Sequence, residues 1–332
     1  MHATGQSSHS SATAAVRAVS RCRRLPTNPP FRVLVFMPIG REHSDIAADK
    51  CAKITRMANV SLFLAHYDDS QNFYASMPWY AQVEFKAVVA PAIKIVLAKQ
   101  LLLKSERMRT LLLTQFSHVW VTDDDVAFPA VPTLRRFLDV ASDLDAAIVQ
   151  PATKGSVHGL VQPTSPSQCA VARSTDFVEF QSPLMARCVF LEAVGLMHRS
   201  HHSDYGLDMV WCRWFGSHQQ YPRWNMCNVC AVVEVAGFEK RYGTAHTHSY
   251  NRSAALEDDR HLRGLYAPYE SLCTIVGACR GGGQTAIINR RRLESVGGTH
   301  RPRPYREVTC TAPRPGLVID GPCGRWRAAA RK

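Results

Sequence analysis

No stretch of about 18 uninterrupted apolar residues occurs in the 332-residue chain, so no transmembrane helix is expected from the sequence as written. The richest candidate, Val88 to Leu103, is broken by Lys94 and Lys99. No apolar segment follows the positive residues at the N-terminus, which argues against a signal peptide there. Its Ser, Ala, Arg-rich and acid-free composition fits a transit peptide better, or a disordered extension. The eleven cysteines form no even, short-range framework. Cys227 and Cys230 are the one close pair, with no second Cys-x-x-Cys or paired histidine at ligand spacing beside them, so structural or incidental thiols are expected. No internal repeat is visible. The sequons at Asn59 and Asn251 permit a secretory location without requiring one.

The middle of the chain has no charge excess of either sign. The formal net charge of +13 resides in the ends: Met1 to Arg32 holds five arginines and no acid, and Thr274 to Lys332 holds twelve basic residues against three acids. A neutral core does not call for a polyanionic partner, so nucleic-acid binding would fall to the basic tails alone and would show steep salt dependence. Residues 1–31 therefore read as a basic extension, disordered or targeting-like, and 274–332 as a disordered basic tail. Residues 32–273, in a chain 46% hydrophobic and 20% charged, suffice for one large α/β domain.

Within that core, Phe31 to Pro38 reads as a buried strand, Ala47 to Ala58 as a helix and Val60 to Tyr67 as a second strand ending in Asp68, which makes a βαβ opening. A strand at Val83 to Val89 follows, then a helix from Pro91 to about Arg107. The run Phe116 to Thr122 is a further strand that delivers Asp123, Asp124 and Asp125. Thr133 to Ala141 reads as a helix, Ala146 to Gln150 as a strand, and Pro151 to Ser174 as a long loop. Asp176 to Phe180 is expected as a short strand, Met185 to Met197 and Tyr205 to Phe215 as helices, and Ala231 to Val235 as a strand. Alternation of this kind predicts an α/β fold, a mostly parallel sheet with helices on both faces and ligands beyond the carboxyl ends of the strands.

The acidic triplet lies at such an end. Three adjacent carboxylates repel one another, and a divalent cation is the simplest compensation. In Asp-x-Asp spacing the outer pair, Asp123 and Asp125, can converge on one Mg²⁺ or Mn²⁺. An acidic turn, or a helix cap before Pro129, has the same composition.

The blocks Lys94 to Leu103, Phe116 to Val126, Asp176 to Met185 and Gly206 to Cys212, with the opening Phe36 to Gly40 and the strand ending His66 to Asp68, resemble a plant and algal family. It is a domain-of-unknown-function family carrying a lysine-ketoglutarate-reductase trans-splicing-related label, similar to GT-A glycosyltransferases. The likeness spans roughly Arg32 to Asn251, and Lys104 to Leu113 departs from it as an insertion-like lengthening of the helix-to-strand connection. It implies a GT-A-like, Rossmann-like domain that transfers a sugar from a nucleotide-sugar, a UDP-sugar, to a glycan or other hydroxyl acceptor with Mn²⁺ or Mg²⁺. By that resemblance Asp123 and Asp125 hold the cation, Asp124 faces ribose or solvent, and His246 or His248 completes the metal shell. Asp208 is the first choice of general base and Glu179 its competitor.

Asp68 and Lys94 would touch nucleotide and phosphate, although a turn carboxylate and a helix-surface lysine are the plain readings of those two. The plain reading of Asp208 is a carboxylate favoured by a helix N-terminus, and that of Glu179 an exposed strand residue. A Golgi or secretory location is implied, with cytoplasm or plastid as alternatives. Other readings are a binding protein that keeps the fold without turnover and a metal-dependent phosphohydrolase, since aspartates and histidines also build two-metal sites.

Overall fold

The computed structural model describes residues 30–156, 161–163, 172–175, 177–197, 206–217, 224, 229–241, 256–257, 260, 317–318 and 327–328. Residues 1–29 of the basic extension, the Cys227 and Asn251 positions, His246 and His248 lie outside them. So does the tail, save for a short antiparallel pairing of Leu317–Val318 with Arg327–Ala328.

The opening follows the expected order. β1 (Val33–Ile39), α1 (Ser44–Ile54) and β2 (Val60–His66) form a βαβ unit, with β2 parallel to β1 from Val33↔Val60 to Ile39↔His66. After α2 (Ser70–Tyr74), β3 (Phe85–Val88) extends the sheet beside β2; α3 (Lys94–Ala98) and α4 (Glu106–Gln115) follow, and β4 (His118–Val121) lies parallel to β1 on the other side. Next come β5 (Val126–Ala127), α5 (Val131–Leu144), β6 (Ile148–Lys154), β7 (Ala172–Ser174), β8 (Leu184–Ala186), α6 (Arg187–Leu196), α7 (Leu207–Ser217) and β9 (Cys230–Lys240). The spatial order is β3-β2-β1-β4-β8-β6-β9-β5, with β7 also on β9. Strands β1, β2, β3, β4, β6 and β9 share one direction, and β5, β7 and β8 oppose it. The fold is α/β, with a mostly parallel sheet covered on both faces.

Period-two alternation decides which face each side chain serves. Leu34 and Phe36 of β1 join Val119 and Val121 of β4 in one core, under α3 (Lys94–Ala98), α4 (Glu106–Gln115), α6 and α7. Val33, Val35 and Met37 join Trp120 in the other, under α1 and α5. On α5 the buried Leu134, Phe137, Leu138 and Ala141 recur at helical spacing, which turns one stripe inward.

Three expectations change. The helix from Pro91 starts instead at Lys94, passes through a π-type turn at Lys99–Leu103 and stops; the supposed insertion is α4, begun afresh because the Ser105 side chain accepts from Met108 N at 3.3 Å. The segment 177–180 is irregular, and the strand is β8 in its place, where Leu184 pairs with Trp120 and Met185 with Val119. β6 does not end at Gln150 but runs to Lys154, because its partner β9 is long enough to follow it through a bulge between Pro151 and Thr153. One thiol reading also sharpens: Cys230 pairs with Cys212 of α7 in a buried disulfide.

His66 is fully buried, with Nδ1 2.8 Å from Ser70 Oγ and Nε2 3.0 Å from the Tyr80 hydroxyl. Burial pulls its pKa down to about 4. The unfolded chain takes up this proton near pH 6.5, so stability present above that value is lost as the pH falls towards about 4, on the order of 2–3 kcal/mol. Denaturant unfolding at about pH 7.5 and pH 4.5 is expected to show that loss in the wild type and a smaller one in His66→Phe. Equal losses in the two proteins would contradict it.

Candidate functional site

Strands β1, β2 and β4 end together, and the residues just beyond them meet. Asp124 Oδ2 accepts from Gly40 N at 3.2 Å and from the Tyr67 hydroxyl at 3.0 Å, so the middle carboxylate ties the three strand ends to one another. Gly40 fits here for reasons of space: a Cβ would lie 2.5 Å from the Tyr67 ring. Gly40→Ala is expected to push that ring off Asp124 at a cost of about 1–3 kcal/mol, read by chemical denaturation. A cost near zero would mean that the ring moves freely.

Asp68 is occupied close by. Its oxygens accept from Arg41 N at 2.9 Å and Ser70 N at 2.8 Å, which fixes the two turns. Burial would raise its pKa, but these hydrogen bonds outweigh it and hold the carboxyl below the usual range. Lys94 lies at the start of α3; its ammonium donates to Asp123 Oδ1 and, at 2.7 Å, to Phe180 O. Lys99, one turn on, instead donates to the carbonyl of Met197, the residue just after α6, 2.7 Å away.

Two further lysines, which the sequence reading passed over, complete the charge. Lys50 of α1 is wholly buried, donates to Asp123 O and sits 4.9 Å over the Phe128 ring. Burial brings its pKa down to about 8 against the opposing pull of Asp124, Asp125 and Asp123. Lys240, the last residue of β9, places Nζ 3.4 Å from Asp125 Oδ2 and 3.8 Å from Asp123 Oδ2. Burial alone would lower its pKa; Asp123, Asp125 and Glu179 outweigh that and raise it.

The carboxylates respond unequally. Burial would raise Asp123, yet Lys94 and Lys240 hold it below the ordinary range, whereas burial raises both Asp124 and Asp125. Glu179 is buried at the edge of this group, accepting from Ser156 Oγ through its carboxylate and donating its N–H to Gln150 Oε1 at 2.6 Å. Asp208 is buried in the first turn of α7, and that helix is held to the Glu179 segment by Trp211 Nε1 donating to Val178 O at 3.0 Å.

A divalent cation fits part of this set. The oxygens are hard ligands, and Asp125 Oδ1 is buried with no hydrogen-bond donor among the described residues, a state costing roughly 1–3 kcal/mol or more that a cation would relieve. Gln181, whose carbonyl accepts from Asp123 N at 2.9 Å, likewise has unpartnered side-chain atoms. Among the described residues no group of three or more His, Cys, Asp or Glu is arranged around a metal position.

Lys50 and Lys240 left unequal traces in the sequence. Lys50 falls within the buried stripe Ile46, Ala47, Cys51 and Ile54, so a lysine there is readable as a buried charge that needs acids. Lys240 follows Gly237, whose φ of +93° interrupts the alternation of β9, and period two cannot tell which way its side chain points.

No family model and no curated protein matches the chain. Solved structures do. The chain is similar to the mannosyltransferase PcManGT from Pyrobaculum calidifontis in complex with GDP-Man and Mn²⁺, at 15% identity and a TM-score of 0.44, over 72% of this chain and 68% of that one. It is also similar to glucosyl-3-phosphoglycerate synthase from Mycobacterium tuberculosis in complex with Mn²⁺ and UDP-glucose, at 12% identity and a TM-score of 0.41, over 81% and 85%. Likeness at these scores decides nothing about chemistry, which rests on the residues of this chain.

Proposed function

We propose that the chain is a glycosyltransferase that binds a nucleotide-sugar, a UDP-sugar, beyond the carboxyl ends of β1, β2 and β4 and passes the sugar to a hydroxyl acceptor. The observation that carries this reading is the convergence of Asp123 and Asp125 with Lys94 and Lys240 at the end of a central parallel strand, with Asp125 Oδ1 left without a donor. Asp123 and Asp125 would hold Mn²⁺ or Mg²⁺, with His246 or His248 completing the shell. That ion, when bound, supplies positive charge to the diphosphate as the nucleotide leaves.

Lys94 is anchored by Phe180 O and keeps an ammonium beside the leaving group, while Asp124 braces the strand ends behind it. Glu179 and Asp208, on segments joined by the Trp211–Val178 hydrogen bond, are the carboxylates available to take the acceptor's proton. A secretory, Golgi-type location agrees with the buried Cys212–Cys230 disulfide, which persists in oxidising compartments. The resemblance to the plant and algal domain family supports the same reading.

Donor hydrolysis and binding, measured with UDP-glucose and related nucleotide-sugars with and without Mn²⁺, test it. Metal-stimulated release of UDP is the expected result. If no nucleotide-sugar binds under either condition, the proposal fails.

A further inference from the structure

We infer that Lys240 is a resident counter-ion which a divalent metal must displace, so that ammonium and metal compete for the Asp123–Asp125 pair; this rests on the metal role proposed above. The lysine ammonium lies between the two carboxylates that would hold the ion, 3.4 Å from Asp125 and 3.8 Å from Asp123. The other oxygen of Asp123 is taken by Lys94, which Phe180 O holds in place, so Lys94 is not the group that gives way. At Asp125 the other oxygen is buried and without a donor among the described residues, and would be available to the metal.

An ammonium and a divalent cation that compete for the same buried carboxylate oxygens repel strongly, and the doubly charged ion is favoured to displace the ammonium. The backbone of Lys240 is fixed. It pairs with Val126 of β5, and Gly155 packs against it so closely that a Cβ there would lie 2.6 Å from Lys240 O. The exchange therefore falls to the side chain, whose four-carbon stem rotates, and Glu179 is a carboxylate within electrostatic reach of it.

Seen this way, the metal-free protein neutralises its own carboxylates, and the lysine lowers metal affinity while keeping the pair folded. The exchange moves no covalent bond: two carboxylates pass from an ammonium to a metal.

Mn²⁺ titration by calorimetry on the full chain provides the test, comparing wild type with Lys240→Gln. The variant is expected to bind Mn²⁺ on the order of tenfold more tightly or better. In the wild type, saturating Mn²⁺ is expected to increase acylation of the Lys240 amine by acetic anhydride, read by peptide mass spectrometry, and this arm stands even if the variant does not fold. Unchanged or weaker Mn²⁺ affinity in a folded variant, no Mn²⁺ binding by either protein, or labelling indifferent to Mn²⁺ would each overturn the inference. Titration of UDP-glucose separates the two readings. If Mn²⁺ and Lys240 exchange as expected but no nucleotide-sugar binds, the glycosyltransferase reading alone fails; if UDP-glucose binds and Lys240 ignores the metal, only the exchange fails.

Discussion

Asp125→Asn is expected to lower metal-dependent turnover of a nucleotide-sugar by about 10²–10³-fold while leaving the protein folded. The substitution keeps the shape of the side chain, removes its charge and exchanges one acceptor oxygen for an amide N–H donor. Asp124, beside it, would not respond in the same way, because its Oδ2 already accepts from Gly40 N and Tyr67 and its loss would loosen the strand ends. Asp125 has one oxygen on Lys240 and the other without a donor, so its charge is the least committed to the fold. Burial raises its pKa, which means that the folded protein already stands to gain from neutralising it. Unfolding curves should therefore show the variant at least as stable as wild type, a signature that a structural aspartate would not give. Asp49→Asn serves as control, since Asp49 is an exposed partner of Lys53 on α1 and is expected to leave turnover unchanged. Wild-type turnover and Mn²⁺ affinity in Asp125→Asn would remove the metal role from this residue.

The parallel half of the sheet was legible because its strands are buried on both faces and read as unbroken apolar runs, as in Val33 to Met37 and Leu62 to Ala65. The antiparallel additions were not. β8 has three residues, and its neighbour in sequence, the Phe177 to Phe180 segment, is just as buried and apolar at every position but Glu179, so composition gives little reason to prefer one over the other. A strand is decided there by which backbone finds a partner, and Leu184 and Met185 find β4 and β6. In the site the same limit applies. The triplet announces itself because three acids in a row are costly anywhere near a core, and its position after an apolar strand was readable. Its counter-ions come from 73 residues upstream at Lys50 and from the far end of β9 at Lys240, and only the folded sheet brings them to it. Asp68 illustrates the reverse case: a strand-end acid in the expected place, with both oxygens already bound by backbone N–H groups.

Trp120→Ala is expected to destabilise the protein by about 3–5 kcal/mol, among the largest single losses available in this fold. Trp120 is almost wholly buried at the centre of β4, with Phe128 4.7 Å and Phe137 4.9 Å from it, ring centre to ring centre. Removing the indole takes away the surface against which α5 and the segment after the triplet pack, and it leaves the Ser182 oxygens without the Nε1 donor that reaches them at 2.9 and 3.1 Å. Ser182 in turn donates to Thr122, the residue before the triplet, at 3.2 Å. The indole therefore positions the carboxylates as well as filling the core: β4 ends one residue past it, and Asp123 N is held by Gln181 O on the same segment as Ser182. Trp120→Phe separates the two roles. It keeps most of the packing and deletes the Nε1 donor, so it should recover more than half of the lost stability while Mn²⁺ affinity stays reduced. Equilibrium denaturation and Mn²⁺ titration of the two variants measure this directly. If Trp120→Phe matches wild type in both, the hydrogen bond to Ser182 has no part in holding the aspartates.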